Sequence, residues 1–245
     1  MKHLKSLICL FLLAAAPLMA QNADDILQKI DQNMEARTTI MTSKMIIYGK
    51  RATREVISKN YAEGNNKAFT EYLAPDREKG TKMLKLADKL WIYNPATDRT
   101  IQLSGHMLRQ SVMGSDLSYE DMMEERSMQE VYDAKILGEE TINGRACWLL
   151  ELKAKVADIS YQQQKIWVDK ARYVPLRQEL YAKSGQLLKQ INNSEISQVE
   201  GRWYPKRVNY KDMLKGGKGT DFVIIEITFN PPIAEYIFNK ASLKR

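Results

Sequence analysis

The stretch Lys89-Leu-Trp-Ile-Tyr-Asn-Pro-Ala-Thr-Asp-Arg-Thr-Ile-Gln-Leu103 decides how this chain is read. Large apolar and aromatic residues crowd 89–94, which predicts a strand. Asn94-Pro95-Ala-Thr-Asp98 is a run of turn formers, and 99–103 resumes the extended pattern. Two strands joined by so short a turn pair antiparallel. The preceding segment, 80–86, predicts a third strand of the same meander.

Working outward, the same texture recurs. Residues 43–50, 53–61 and 66–74 read as strands, and Met45 and Ile47 fall on one face by the period of two. Glu63-Gly-Asn-Asn66 marks a hairpin. Beyond residue 130, strands are expected over 132–138, 145–153, 161–169, 173–182, 186–193, 195–200, 203–211 and 220–229. Asn143-Gly144, Ser184-Gly185, Glu200-Gly201 and Gly216-Gly-Lys-Gly219 punctuate them. Before the strands, Ile26, Leu27, Ile30 and Met34 share a helical stripe, so 22–35 reads as an amphipathic helix capped by Asn22.

Residues 104–130 break the pattern. Met107, Leu108 and Val112 have helical spacing, Gly114 is a stop, and Ser118-Tyr-Glu-Asp121 is a capping-box variant that opens a second short helix. Five of the chain's 12 methionines (Met107, Met113, Met122, Met123 and Met128) lie here. Thioether side chains adapt to varied apolar guests. A helical insertion in a wide meander is expected to cover something.

The fold expected is mainly β with a few helices. A single curved antiparallel sheet of about eleven strands forms a half-barrel. An N-terminal helix and a helical lid (104–130) lie over an apolar cavity. Trp91, Tyr93, Trp148 and Trp167 are the strand aromatics expected in that cavity. No composition shift or linker divides 21–245, which reads as one domain.

The first twenty residues read as an address. Lys2 and Lys5 precede an apolar run over 7–16, and Ala20 offers a cleavage site. This is a signal-peptide pattern, and the run is too short to span a bilayer. Cys9 sits at the start of the apolar run, whereas a lipidated cysteine would follow it, so a soluble, unlipidated mature chain is expected. Cys147 is then the only cysteine left, and no intramolecular disulfide can form.

Catalytic chemistry finds little support. The chain of 245 residues has two histidines, His3 and His106, which leaves no His-based triad or multi-His metal site. Cys147 lies in the apolar run Ala146-Cys-Trp-Leu-Leu150 without a base, and reads as a buried structural thiol. Asp116, Glu120, Asp121, Glu124 and Glu125 read as helix-start residues and a solvated face. Gly216-Gly-Lys-Gly-Thr220 fails the phosphate-loop pattern, because Gly219 stands where Ser or Thr should follow Lys218. Removing the first twenty residues takes away Lys2 and Lys5 and lowers the net charge from +7 to +5, which is mild, and no basic block is interleaved with aromatics as a nucleic-acid groove requires. No catalytic residue, metal or cofactor is expected.

Four stretches carry a family likeness. Asp88-Lys-Leu-Trp-Ile-Tyr-Asn-Pro95, Ser111-Val-Met-Gly-Ser-Asp-Leu-Ser-Tyr-Glu-Asp121, Leu180-Tyr-Ala-Lys-Ser-Gly-Gln186 and Ile227-Thr-Phe-Asn-Pro-Pro-Ile233 stand in the order seen in the periplasmic lipoprotein carriers. The chain resembles these LolA-like outer-membrane lipoprotein-sorting proteins over most of 24–240. The resemblance implies a half-barrel with an apolar cavity for acyl chains, and a non-enzymatic periplasmic carrier of lipoproteins or another lipid. It implies an inner-membrane transporter and an outer-membrane acceptor as partners of a monomeric protein. A half-barrel lipid sensor acting on a membrane partner is the alternative. The resemblance also offers Arg54 as the positional match to the arginine that holds such carriers closed. The residues expected at the ligand are Met45, Ile47, Trp91, Tyr93, Met107, Leu108, Val112, Met113, Met122, Met123, Trp148 and Trp167.

Overall fold

A computed structural model describes residues 22–49, 52–124 and 126–245. The expected signal peptide, Cys9 and His3 lie outside them.

Helix α1 (Ala23–Met34) starts where Asn22 accepts the Asp24 amide through its side chain, with Asp24 and Asp25 in the first turn, where negative charge is favoured. Ile26, Leu27 and Ile30 are buried, as the stripe required. Thirteen strands follow: β1 (Thr38–Tyr48), β2 (Thr53–Glu63), β3 (Lys67–Ala74), β4 (Lys82–Leu86), β5 (Lys89–Asn94), β6 (Arg99–Leu103), β7 (Tyr132–Ile142), β8 (Arg145–Ala154), β9 (Gln163–Asp169), β10 (Pro175–Tyr181), β11 (Leu187–Val199), β12 (Arg202–Asp212) and β13 (Thr220–Phe229).

All thirteen belong to one antiparallel sheet in the order β6-β5-β4-β3-β2-β1-β13-β12-β11-β10-β9-β8-β7. The chain steps outward from β1 to the β6 edge and crosses to the opposite edge at β7. It then steps back until β13 pairs with β1. The sheet is open, and the crossing 104–131 joins its two edges. Hairpin chemistry fixes the steps. Asn143 and Gly144 take φ of 50° and 76°, and Glu200 and Gly201 take 48° and 81°. Two successive positive-φ residues make the turn whose twist matches that of the flanking strands.

Thirteen strands exceed the eleven expected for the half-barrel and fall one short of the fourteen segments read as extended. The segments read as 186–193 and 195–200 are one strand, β11, with Glu195 at φ 53° in its middle. Strand β1 begins at Thr38 rather than at 43, because the Thr-rich start pairs with both β2 and β13 although it shows no apolar alternation.

Register identifies the two faces. Ile47 stands opposite Thr220, Thr220 opposite Tyr210, and Tyr210 opposite Ile191. Ile191 stands opposite Gln178, Gln178 opposite Ile166, and Ile166 opposite Leu150. Residues directly opposite share a face, so this row crosses seven strands on one side, called here the inner face. Helix α1 buries its stripe against the β8–β9 end of that face, on Leu150, Leu152, Ile166 and Val168. The crossing covers the other end, on Met45, Ile47, Val56, Tyr72, Met83 and Leu90.

The crossing is not the pair of helices expected. It forms 3-10 turns at Gly105–Arg109, Val112–Gly114 and Glu120–Met122, then a single α-turn, α2 (Met128–Val131). Positive φ at Gly105, Met113 and Gly114 interrupts the segment too often for a helix to propagate.

Candidate functional site

The crossing is tied across the inner face by side chains of well-separated strands. From β2, Arg54 donates to the Met113 carbonyl at 2.5 Å. From β4, the Lys85 ammonium donates to the Met122 carbonyl at 3.1 Å. From β13, the Thr220 hydroxyl donates to Asp116 at 2.9 Å and accepts the Asp116 amide at 3.1 Å. From β11, Lys189 pairs with Asp121. Two carbonyls and one amide of the crossing are thus satisfied by side chains of the sheet, while the turns of the crossing bond one another.

Ser118 and Asp121 form the reciprocal contact that the capping-box reading predicts. The Ser118 amide and hydroxyl donate to Asp121 at 2.7 and 2.6 Å, and the Asp121 amide returns to the hydroxyl at 3.3 Å. The turn it starts is 3-10 rather than α. Tyr161, in the segment before β9, also donates its hydroxyl to Asp121. Burial opposes the Asp121 charge, yet Lys189, Ser118 and Tyr161 together lower its pKa below the usual carboxylate value. The same burial and the Asp121 charge push the Tyr161 phenol upward. Asp116 and Asp121 are thus anchors of the crossing, which corrects their reading as a solvated face.

Between the crossing, α2, residues 158–161 and strands β9–β12 lies a recess of about 780 Å³. Leu108, Leu117, Met122, Met123, Met128, Val131, Ile159, Leu180, Ile191 and Tyr210 contribute its apolar wall. Asp88, Glu120, Asp121, Arg126, Gln164 and Lys189 also line it. The wall is amphipathic, where a purely apolar cavity was expected. Its size falls within the range of small-molecule sites.

The predicted site residues divide by face. Met45, Ile47, Met107, Leu108, Val112, Met113, Met122 and Met123 come together in one cluster, of which Leu108, Met122 and Met123 reach the recess. Trp148 lies on the inner face but at its other end, against the α1 cluster, with its ring 5.4 Å from that of Tyr173. Trp91 and Tyr93 alternate with Leu90 and Ile92 and point the other way. They pack under the C-terminal segment with Phe238 and Leu243, away from the recess. Trp167 alternates with Ile166 and Val168 and is likewise outside, beside Cys147 and Leu176. Size and aromaticity had marked these tryptophans, but the period of two sends neighbouring residues to opposite faces. The period of two, which puts Lys189 with Ile191 and Val208 with Tyr210 on one face, was the legible signal for the wall residues that went unmarked.

Cys147 is fully buried, and burial is the main cause raising its thiol pKa. Among the described residues no group of His, Cys, Asp and Glu is arranged to hold a metal ion. No described helix is long and apolar enough to cross a membrane.

The fold as a whole is shared with solved structures of lipoprotein-sorting and LolA superfamily proteins. A domain from Vibrio parahaemolyticus named for outer membrane lipoprotein sorting shares it at 26% identity and a TM-score of 0.76, covering 91% of this chain and 100% of that one. A DUF1329 family protein from Desulfovibrio piger shares it at 24% identity and a TM-score of 0.79, covering 89% and 96%. A LolA superfamily protein from Nitrosomonas europaea does so at 22% identity and a TM-score of 0.72, covering 91% and 100%. The resemblance read from the sequence is borne out. A family model described as an "Uncharacterized protein"-like family matches residues 64–245, and the chain belongs to that family. A search of curated proteins finds no match.

Proposed function

We propose that this protein is a non-enzymatic carrier that takes acyl chains of lipoproteins, or of another lipid, into the recess beneath the crossing. Export through the N-terminal signal sequence would place it in the periplasm, between an inner-membrane donor and an outer-membrane acceptor. The observation that carries this reading is the crossing itself. A methionine-rich segment lies over the inner face, held by four side-chain ties, beside a recess with a largely apolar wall. Met122 and Met123 belong both to the packed cluster and to the recess wall, so a displaced crossing would enlarge the recess. The likeness to a domain named for lipoprotein sorting supports the cargo class.

Burial energies are adequate. Enclosing about ten methylenes at roughly 0.8 kcal/mol each stabilises a complex by about 8 kcal/mol before ordering costs. The amphipathic part of the wall gives the chain's polar end a place beside Lys189 and Gln164.

The test is lipid extraction of protein purified from the exporting cell, read by mass spectrometry, together with uptake of a fluorescent fatty acid. Ile191→Asp should lower that uptake at least tenfold. Protein that carries no lipid and takes up no fatty acid would overturn the carrier reading.

A further inference from the structure

The turn between β12 and β13 leaves two large apolar side chains in solvent. Met213 is 41% and Leu214 65% exposed, and they stand side by side at the start of the 213–219 loop. The loop is built rather than slack. The Met213 amide donates to the Leu188 carbonyl at 2.9 Å, and the Leu214 amide to the Asp212 carboxylate at 3.0 Å. The Lys211 ammonium caps carbonyls of Asp212 and Lys215. Gly219 closes the loop at φ 89°, where a Cβ would stand 2.4 Å from the Tyr210 carbonyl oxygen. An apolar pair held in solvent by a fixed turn invites a partner.

Charge indicates which partner. The tip carries Lys215 and Lys218, both exposed, with Lys211 at its base. Its one acid, Asp212, is already engaged by Lys215 at 3.3 Å. Exposed Arg109, from the crossing, lines a second recess of about 360 Å³ with Leu214 and Lys215; Asp116, Glu120 and Asp212 line it too, and of these Asp116 is held by Thr220 and Asp212 by Lys215. Apolar residues at a tip flanked by the exposed cations Lys218 and Arg109 match a bilayer surface bearing anionic headgroups.

Position links the tip to the site. Lys215 donates to the Ser111 hydroxyl at 2.7 Å and to the Ser115 carbonyl at 3.3 Å, so the tip is attached to the crossing. The second recess and the main recess share Glu120, Tyr161 and Lys189 as lining. We infer that the 213–219 tip is a docking element for anionic bilayers, in which Met213 and Leu214 enter the interface while Lys218 and Arg109 contact headgroups. It places the crossing against the bilayer, at the edge where an acyl chain would pass to or from the recess. That last step rests on the carrier reading, whereas the surface contact does not.

The experiment is co-sedimentation of the purified protein with vesicles of phosphatidylcholine alone or with 30% phosphatidylglycerol. Binding is expected to the anionic vesicles only, and to weaken in high salt. Leu214→Ser should reduce the partition coefficient about tenfold, by the transfer energy of one leucine. Lys218→Gln should reduce it about fivefold, by the attraction of one cation to an anionic surface. Unchanged melting midpoints would assign both losses to the surface. Equal binding to neutral vesicles, or full binding by both variants, would overturn the inference. Wild-type protein that takes up fatty acid yet ignores anionic vesicles would overturn the tip and leave the carrier. Tip-dependent vesicle binding without fatty acid uptake would do the reverse.

Discussion

Asp121 of the crossing and Lys189 of β11 form an ion pair whose side chains are only 11% and 10% exposed, at the wall of the recess. Ser118 and Tyr161 complete the hydrogen bonding of the carboxylate. Removing one partner leaves a desolvated charge, which costs far more than the pair contributes. Lys189→Met should therefore destabilise the protein by about 3 kcal/mol, and adding Asp121→Asn should restore much of the loss. Urea denaturation of the two variants and the double variant measures this. Equal stability of all three would mean that the pair is open to water.

The same pair sets an acid limit. The pKa of Asp121 is lowered in the folded state, so its contribution is complete above the ordinary carboxylate pKa. It is lost as pH falls through the depressed folded value. Between pH 5 and pH 2, wild-type stability should fall more steeply than that of the double variant. Parallel curves would contradict the assignment.

Arg54 holds the crossing through the Met113 carbonyl, beside the positive-φ pair Met113 and Gly114, and also stands 3.8 Å from Glu78. A hydrogen bond from a charged donor contributes about 1.5–3 kcal/mol. Arg54→Leu should raise amide exchange of residues 112–118 at least tenfold and speed fatty acid release, with α1 unaffected. Protection unchanged in this segment would remove Arg54 from any closing role.

Asp31, near the C-terminal end of α1, has its pKa raised to about 6, first by burial and then by Glu35. A raised acid stabilises below its unfolded pKa, and that contribution is lost as pH climbs through 6. At neutral pH the group is a charge in the wrong place, against the helix dipole. Asp31→Asn should add about 1 kcal/mol at pH 7, allowing for solvent screening, and nothing at pH 4. Thermal melts at the two pH values decide it.

Cys147 is buried on the outer face with Trp167 and Leu176, remote from the recess. Cys147→Ser should cost roughly 1–3 kcal/mol by burying a hydroxyl, and native protein should react with iodoacetamide far more slowly than unfolded protein. Cys147→Ala should leave lipid uptake intact. Loss of uptake in a stably folded Cys147→Ala protein would give the thiol a role that the structure does not.

What the sequence determined by itself was local. The stripe of Ile26, Leu27 and Ile30, the Asn22 cap, the Asn143-Gly144 turn and the alternation around Met45 and Ile47 each rest on contacts within a few residues, and each formed as read. The ordered motifs pointed to the fold family for the same reason. The tertiary structure decided which face each strand presented. Trp91, Tyr93 and Trp167 carry every local mark of a binding wall, yet a single step along a strand turned them outward, while Leu180, Ile191 and Tyr210 came to the recess from three strands. It also decided the form of the crossing. Helical spacing over 104–130 promised helices, but Arg54, Lys85, Lys189 and Thr220 reach it from four strands and engage groups that a helix or water would otherwise satisfy. Pairing across 68 residues, as between Asp121 and Lys189, leaves no trace in local pattern, because it exists only once the sheet brings β11 beneath the crossing.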